Sequence, residues 1–441
     1  MSRTRAVLAL LVLCALGVAA VGATAATAKK SAPTKLTVWV GWSARELSVF
    51  KKVAAEYDKA HPDVTVDVVG SINDDKIVAA IRAGNAPDVA SSFNSYDVGI
   101  YCGTGGWIDL SSKLKSAGIP LSTFPAATNF YTQFGGKKCA LPLLADDYGL
   151  YYNKSMFAAA GIGHPPHTIS ELTADAKKLT IRNKDGSLKR VGFDPFVGFY
   201  ENTPERWIVA FGGKWNDGKG HAILAKNAPW AKWAKWQKSL IDWYGYKNLV
   251  RFQAGLGDEF SASQAFEAGK LAMNFDGEWR VSFIKHEHPT LKYGTAPMSV
   301  EDSQTQLIYG AGYINGTIIG IPRGGHHLDQ SWALVRYLTT NSHFLAQFSN
   351  DIRNVPTTKA SLTSPEITPD ARFSTFLQIF GNPHSTTSPI MASGAAYTNL
   401  VGAFFQKWQA GQVKNLAKGL AKLDSQLDAQ VAQAKGGGSV P

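Results

Sequence analysis

Cysteine is scarce in this chain. Three stand among 441 residues, at positions 14, 102 and 139, and the two beyond the apolar start point to a disulfide before a metal pair. After the first 23 residues no run is apolar enough to span a bilayer. There is no arginine-rich run, the lysines are scattered, and no nucleic-acid fold signature accompanies them, which argues against a nucleic-acid partner. Signatures of phosphate and hydrolytic chemistry fail one by one. Phe211-Gly212-Gly213-Lys214 lacks the upstream glycine and the Ser/Thr of a Walker A loop, and neither a G-x-S-x-G elbow nor an H-E-x-x-H helix occurs. The histidine clusters are His286-Glu287-His288, His164 with His167, and His326-His327. Such adjacent or alternate residues in turn-like stretches rarely close a zinc site without a third ligand, so neither metal nor cofactor is expected. Tandem repeats and low-complexity blocks are absent.

What is present begins with an export signal. Arg3 and Arg5 form a basic start, residues 6–23 are apolar and small, and Ala26-Thr27-Ala28 offers an A-x-A cleavage site before Lys29. Cleavage near Ala28 gives a periplasmic or cell-surface protein; the apolar stretch is also long enough to be kept as an anchor. Cys14 follows Leu13, not the small residue that a lipid-attachment box needs, and so belongs to the leader's apolar core. In an oxidising compartment Cys102 and Cys139, each in a glycine-containing turn, are expected to form a disulfide, with two unpaired buried thiols as the alternative. Losing Arg3 and Arg5 with the leader takes the formal net charge from +11 to +9. A composition of 45% hydrophobic and 18% charged residues is that of a folded protein, and 441 residues suggest two or three domains. Aromatics, at 11%, suit stacking surfaces as well as core.

Hydropathy patterning alternates strand and helix. Residues 36–40 read as a strand, 43–60 as a helix ended near His61-Pro62, 64–69 as a strand, 73–83 as a helix and 87–90 as a strand. That order implies right-handed parallel crossovers and a doubly wound sheet. A second set follows. Thr168-Ile169-Ser170-Glu171 is a capping box for a helix to about Leu179. Residues 229–244 form a helix with Trp230, Trp233, Trp236, Leu240 and Trp243 at helical spacing, read as a face packed on a sheet and not as a membrane surface. Strands are expected at 271–275 and 317–321, and a helix at 329–338. An amphipathic helix at 412–435 carries Leu416, Leu420, Leu423, Leu427 and Val431 on one face, and residues 437–441 are a flexible tail.

The most informative run is residues 140–162. A short apolar strand ends in Leu141-Pro142-Leu143-Leu144, a polar corner Asp146-Asp147-Tyr148-Gly149 follows, and a second strand leads into Asn153-Lys154 and a helix that Gly161 stops. This run resembles the hinge crossing of extracellular solute-binding proteins of sugar ABC transporters, the family 1 group that includes maltose-binding protein. The similarity extends over the mature chain. Leu36-Thr37-Val38-Trp39 with Gly41-Trp42-Ser43 is similar to the family's first strand and cleft loop, and residues 81–89, Ile-Arg-Ala-Gly-Asn-Ala-Pro-Asp-Val, to its Gly-x-x-Pro-Asp-Val segment. Gly135-Gly136-Lys137, the pair Pro165-Pro166, and residues 266–273 leading to Gly277-Glu278-Trp279 fall in the family's order. Ile169 stands where the family commonly has Trp.

The resemblance implies a two-lobed α/β fold of the periplasmic-binding-protein type II, with doubly wound sheets in each lobe and the ligand cleft between them. It places residues 29–144 and 305–356 in one lobe, and 145–304 and 357–436 in the other. It implies a monomeric, non-enzymatic receptor that passes a carbohydrate, a di- or oligosaccharide, to the membrane permease of an ABC importer driven by a cytoplasmic ATPase. The alternatives are a same-fold receptor for a polyamine or phosphodiester and a secreted glycan-active enzyme working through carboxylates such as Asp146, Asp147 and Glu278.

The expected ligand-binding residues each have a plainer reading. Trp42 follows a strand end and serves the cleft or the core; Ser43 and Glu46 offer cleft contacts or a local capping box. Asn94 and Tyr96 face the cleft or form an exposed loop. Asp147 and Tyr148 form the central pair, with Asp146 a turn residue. Glu278 with Trp279 closes a strand, Tyr313 binds ligand or links segments, and Arg353 pairs with ligand or bridges the lobes.

Overall fold

The computed structural model describes residues 32–436. The expected leader at 1–28, with Cys14, and the tail at 437–441 lie outside them.

Ten strands are described: β1 (Thr34–Trp39), β2 (Val64–Val69), β3 (Val89–Ser92), β4 (Ala140–Asn153), β5 (Ile181–Arg182), β6 (Leu188–Arg190), β7 (Met273–Gly277), β8 (Tyr293–Ala296), β9 (Ile314–Gly320) and β10 (Val355–Pro356). The first lobe holds a mixed sheet in the order β10-β4-β9-β3-β1-β2. Its β1–β2 and β1–β3 pairs are parallel, as the strand–helix alternation of residues 36–90 requires, whereas β9 returns antiparallel to both β3 and β4. Helices cover both faces. Leu36, Val38, Phe50, Tyr57, Leu334 and Leu345 fill one core, and Ile77, Tyr101, Trp107 and Ile318 fill the other.

The second lobe is built on the far half of β4, which runs antiparallel between β7 and β8. β5 and β6 form a separate hairpin. The larger, aromatic-rich core packs there, with Trp230, Trp233 and Leu240 of the helix Ala228–Tyr244 buried in it. The tryptophan stripe is thus a core face, apart from Trp243, which is 38% exposed beneath Lys177 and Arg182. The C-terminal helix (Leu416–Gly436) buries the expected five-residue face. It starts at Leu416, later than position 412, because Asn415 Oδ1 accepts the Lys418 N–H and so caps it there.

The run at 140–162 differs from its expected form. No corner separates two strands: β4 is one unbroken strand of 14 residues. Its backbone at Asp146 and Asp147 pairs with Asn315 and Ile314 of β9, and from Tyr148 onward with β7. Ladder pairing of this kind outweighs the weak strand preference of aspartate. The helix Lys154–Ala159 then ends before Gly161, whose φ of 64° suits a residue without Cβ. Cys102 and Cys139 are joined, with Cα atoms 5.5 Å apart, and so tie the helix Val98–Gly103 to the entrance of β4. A later helix, Ala371–Gly381, also spans the lobes. Its Phe376 and Ile379 enter the second core, while Phe373 and Phe380 enter the first.

Candidate ligand-binding cleft

A cavity of about 680 Å³ opens where the two lobes meet at β4. The first lobe supplies the loop after β1, with Trp42 and the first turn of the helix Ala44–Ala60, and the loop after β3, with Phe93, Asn94 and Tyr96. β4 supplies Asp146 and Tyr148. The second lobe supplies Glu201, Glu205 and Arg206 around the short helix Pro204–Ile208, then Phe260, Trp279 and Phe283. Asn315 and Thr317 of β9 and Asn354 add amide and hydroxyl groups.

Seven of the expected residues line this cavity: Trp42, Ser43, Glu46, Asn94, Tyr96, Tyr148 and Trp279. Trp42 combines both readings given to it, since its ring stacks on Phe50 at 5.2 Å and meets Phe93 and Phe348 edge-on while bordering the cleft. Ser43 occupies the N-cap position without any capping bond, so the expected capping box with Glu46 is absent. The cause is local: Ala44 enters the helix at φ 44°, outside the helical region the box requires. Glu46 is free of that box, and burial pushes its pKa up. Asn94 donates its amide to Asp74 at 2.8 Å.

Four expected residues lie off the cavity. Asp147 is 0% exposed and points away from it, whereas Asp146, expected to be a turn residue, lines it. In a continuous strand adjacent side chains take opposite faces, so only one of the pair can reach the cleft. Both Asp147 carboxyl oxygens are buried without a hydrogen-bond partner, and burial, with Asp146 beside it, pushes the pKa of that carboxyl well above the usual range. Glu278 is likewise fully buried; it accepts the Asp147 N–H at 2.9 Å and the Asn354 amide at 2.8 Å, stitching the end of β7 to β4. Tyr313 sits behind Tyr96, the two hydroxyls 2.5 Å apart, and reaches Ser388 at 3.2 Å. Arg353 ends the helix Ser342–Ile352 at φ 64° and donates to the Thr368 carbonyl at 3.0 Å, beside the Phe373 ring.

Asp146 accepts from Asn354 at 2.7 Å, and burial pushes its pKa up to about 7. The Tyr148 ring lies 4.2 Å beneath the Arg206 guanidinium and meets Trp279 edge-on at 5.6 Å. Burial opposes the Arg206 charge, but Glu201, paired with it, and Tyr148 outweigh that and hold it protonated. Trp279 folds back over Gly277, where a Cβ would come within 2.3 Å of its ring, and its indole N–H is buried without a partner. Arg45 crosses the mouth: it donates to Ser282 Oγ at 3.0 Å and lies 4.8 Å from the Phe283 ring. Ser282 in turn donates to the Asp351 carbonyl at 2.8 Å, so first-lobe groups grip the second lobe there.

Sequence reasoning missed Phe93, Glu201, Glu205, Arg206, Phe283 and Asn354. Two of these neighbour expected residues, Asn94 and Arg353, and one-residue offsets in loops have no periodic signal. Glu201 lies in a loop at 193–204 whose path no local pattern fixes, and Glu205 and Arg206 follow it directly.

The described residues hold no group of three or more His, Cys, Asp or Glu able to bind a metal, and no helix long and apolar enough to cross a membrane. The family model for bacterial extracellular solute-binding proteins matches residues 52–375. The chain belongs to this family. As a solute-binding protein it is similar to a binding protein of Brucella abortus (strain 2308), 23% identical over 380 residues that cover 80% of this chain and 86% of the relative. Its fold is similar to CpMnBP1 with mannotriose bound, at 24% identity and a TM-score of 0.80, covering 89% of this chain and 100% of the other. Maltose-bound T. maritima MalE3 gives 21% identity and a TM-score of 0.74, covering 90% of this chain and 99% of the other. The family is one of exported binding proteins with two lobes, and this solute-binding protein shares that architecture.

Proposed function

We propose that this solute-binding protein takes up a carbohydrate, a di- or oligosaccharide, in the cavity between its lobes. It then presents the sugar to the membrane permease of an ABC importer powered by a cytoplasmic ATPase. On this reading the leader is cleaved near Ala28, the mature protein is extracytoplasmic, and the lobes divide as 29–144 with 305–356 and 145–304 with 357–436.

The observation that carries the reading is the pairing of aromatic faces with hydroxyl-binding groups across one cavity. Trp42 stands on one lobe and Trp279 on the other, with Asp146, Asn354, Asn315 and Thr317 between them. Aromatic faces stack on the C–H faces of a pyranose, and carboxylates and amides pair with its hydroxyls. A volume of about 680 Å³ falls within the range of small-ligand sites. Structures of similar fold hold mannotriose, mannobiose and maltose, which supports a sugar in this cleft. A ligand touching both lobes stabilises the closed arrangement, in which Arg45 and Ser282 meet, and closure is what a permease can sense.

Thermal unfolding with a panel of neutral di- and oligosaccharides tests this. A sugar held at about 100 times its Kd adds roughly 2.7 kcal/mol to the folded state and raises the midpoint. If no saccharide shifts the midpoint while polyamines or phosphodiesters do, the sugar reading fails. Release of cleavage products from any glycan would replace the receptor by an enzyme; with Asp147 and Glu278 off the cavity, two carboxylates that such chemistry would have used are out of reach.

A further inference from the structure

The cavity walls carry more acid than a neutral sugar calls for. Five carboxyl groups line it: Glu46, Asp146, Glu201, Glu205 and Glu287. Two guanidinium groups, Arg45 and Arg206, face them, and both are engaged within the protein. Arg206 pairs with Glu201 and covers the Tyr148 ring, while Arg45 bonds to Ser282, lies beside Phe283 and keeps Nη2 without a partner, its charge only partly offsetting the burial of Glu46. Among the described residues Glu46, Asp146, Glu205 and Glu287 form no ion pair.

Asp146 is the most informative of the four. It is 7% exposed, lines the cavity, and gives one oxygen to Asn354, while its other oxygen accepts no hydrogen bond from the protein. Glu287 Oε2 is buried with no partner. Carboxyl groups left this way call for a donor or a positive charge from outside the chain. Arg206 already covers the Tyr148 ring and Arg45 lies against Phe283, which leaves the rings of Trp42 and Trp279, one on each lobe, bordering the cavity, and electron-rich ring faces attract ammonium groups. A linear polyamine would answer the charge alone; ring faces on both lobes answer a pyranose as well.

We propose that the ligand is a cationic saccharide, an oligosaccharide of amino sugars with free ammonium groups. Its rings stack on Trp42 and Trp279, and an ammonium sits against Asp146 with Glu46 and Glu205 nearby. This rests on the carbohydrate reading above. Burial raises the pKa of all three carboxyls, and an ammonium beside them favours their charged forms, so binding and ionisation reinforce each other.

Calorimetric titration of the full mature chain with a glucosamine trimer, its N-acetylated counterpart, mannotriose and spermidine tests the proposal. The glucosamine trimer is expected to bind about tenfold or more tightly than the N-acetylated trimer and mannotriose, a gap of roughly 1.4 kcal/mol. Added salt weakens that preference. Asp146→Asn should abolish most of it and Glu46→Gln should reduce it; Glu46 sits on a surface helix, so its variant remains informative if the first does not fold. If mannotriose or the acetylated trimer binds as tightly as the amine, the cationic ligand is overturned and the sugar receptor stands. If both variants keep the full preference, the assignment to these carboxyls is overturned. If spermidine outbinds every saccharide, both readings fall.

Discussion

Residues 140–147 and 148–153 are two halves of one strand with different neighbours. The first half lies between β9 and β10 in the mixed sheet, with the Cys102–Cys139 bridge at its entrance. The second half lies between β7 and β8, antiparallel to both, under a core rich in tyrosine and tryptophan. Partners change between Asp147 and Tyr148, and the two β4 side chains that line the cavity, Asp146 and Tyr148, flank that point. A crossing between lobes therefore needs no break in the backbone ladder. It needs a change of partner strands, and the β4 side chains that line the cavity sit beside that change.

The largest expected effect falls on the first half. Replacing Cys102 and Cys139 together by serine opens a link spanning 37 residues and should cost about 4 kcal/mol in urea unfolding by loop-entropy reasoning. Ligand affinity should hold; a loss of affinity would mean that the bridge positions the cavity as well as the strand.

In the second lobe, buried Asp194 bonds to Gln253 at 2.9 Å, and burial raises its pKa to about 6. That value lies above the ordinary 3.8, so its contribution is complete below pH 3.8 and is lost as pH rises through 6. The loss amounts to about 3 kcal/mol. Melting temperatures between pH 4 and 7 should fall less in Asp194→Asn than in the parent chain, and parallel curves would refute the assignment.

At the junction itself, Trp279→Ala should weaken binding by about 2 kcal/mol, roughly thirtyfold, in calorimetry. Neighbouring substitutions sharpen the contrast further. Asp146→Asn should weaken binding by about 1.5 kcal/mol, as loss of a charge-assisted bond does, while Asp147→Asn leaves affinity unchanged. Equal effects from the two would contradict opposite faces. The smallest effect is expected at the mouth, where Arg45→Gln removes a bond between lobes worth about 1 kcal/mol. Small-angle scattering without ligand should then show a slightly larger radius of gyration, and an unchanged radius would show that the contact does not hold the lobes together.

Much of this was readable beforehand, and particular residues show why. β2 spans residues 64–69, as its alternation implied, and Thr168 and Glu171 form the expected capping box before Ile169–Leu179. These are local patterns, and local patterns survive in any context that does not oppose them. Ser43 and Glu46 show the same box pattern, and it fails because the cleft loop delivers Ala44 at a positive φ. Tyr313 was expected to bind ligand or link segments and Arg353 to pair with ligand or bridge the lobes; that each spends its polar end on the protein depends on Ser388 and Thr368, 75 and 15 residues further on.

The aspartate pair divides the two kinds of information most clearly. The sequence by itself determined that Asp146 and Asp147 stand together between apolar stretches, and, once the segment is a strand, that they take opposite faces, because side chains alternate with a period of two. Only the tertiary structure decided that the segment is unbroken and that the face of Asp146 is the open one. β7 brings Glu278 to the Asp147 backbone, and the chain beyond Arg353 brings Asn354 to Asp146. Those contacts join residues 131 and 208 positions apart, and no local propensity reaches that far.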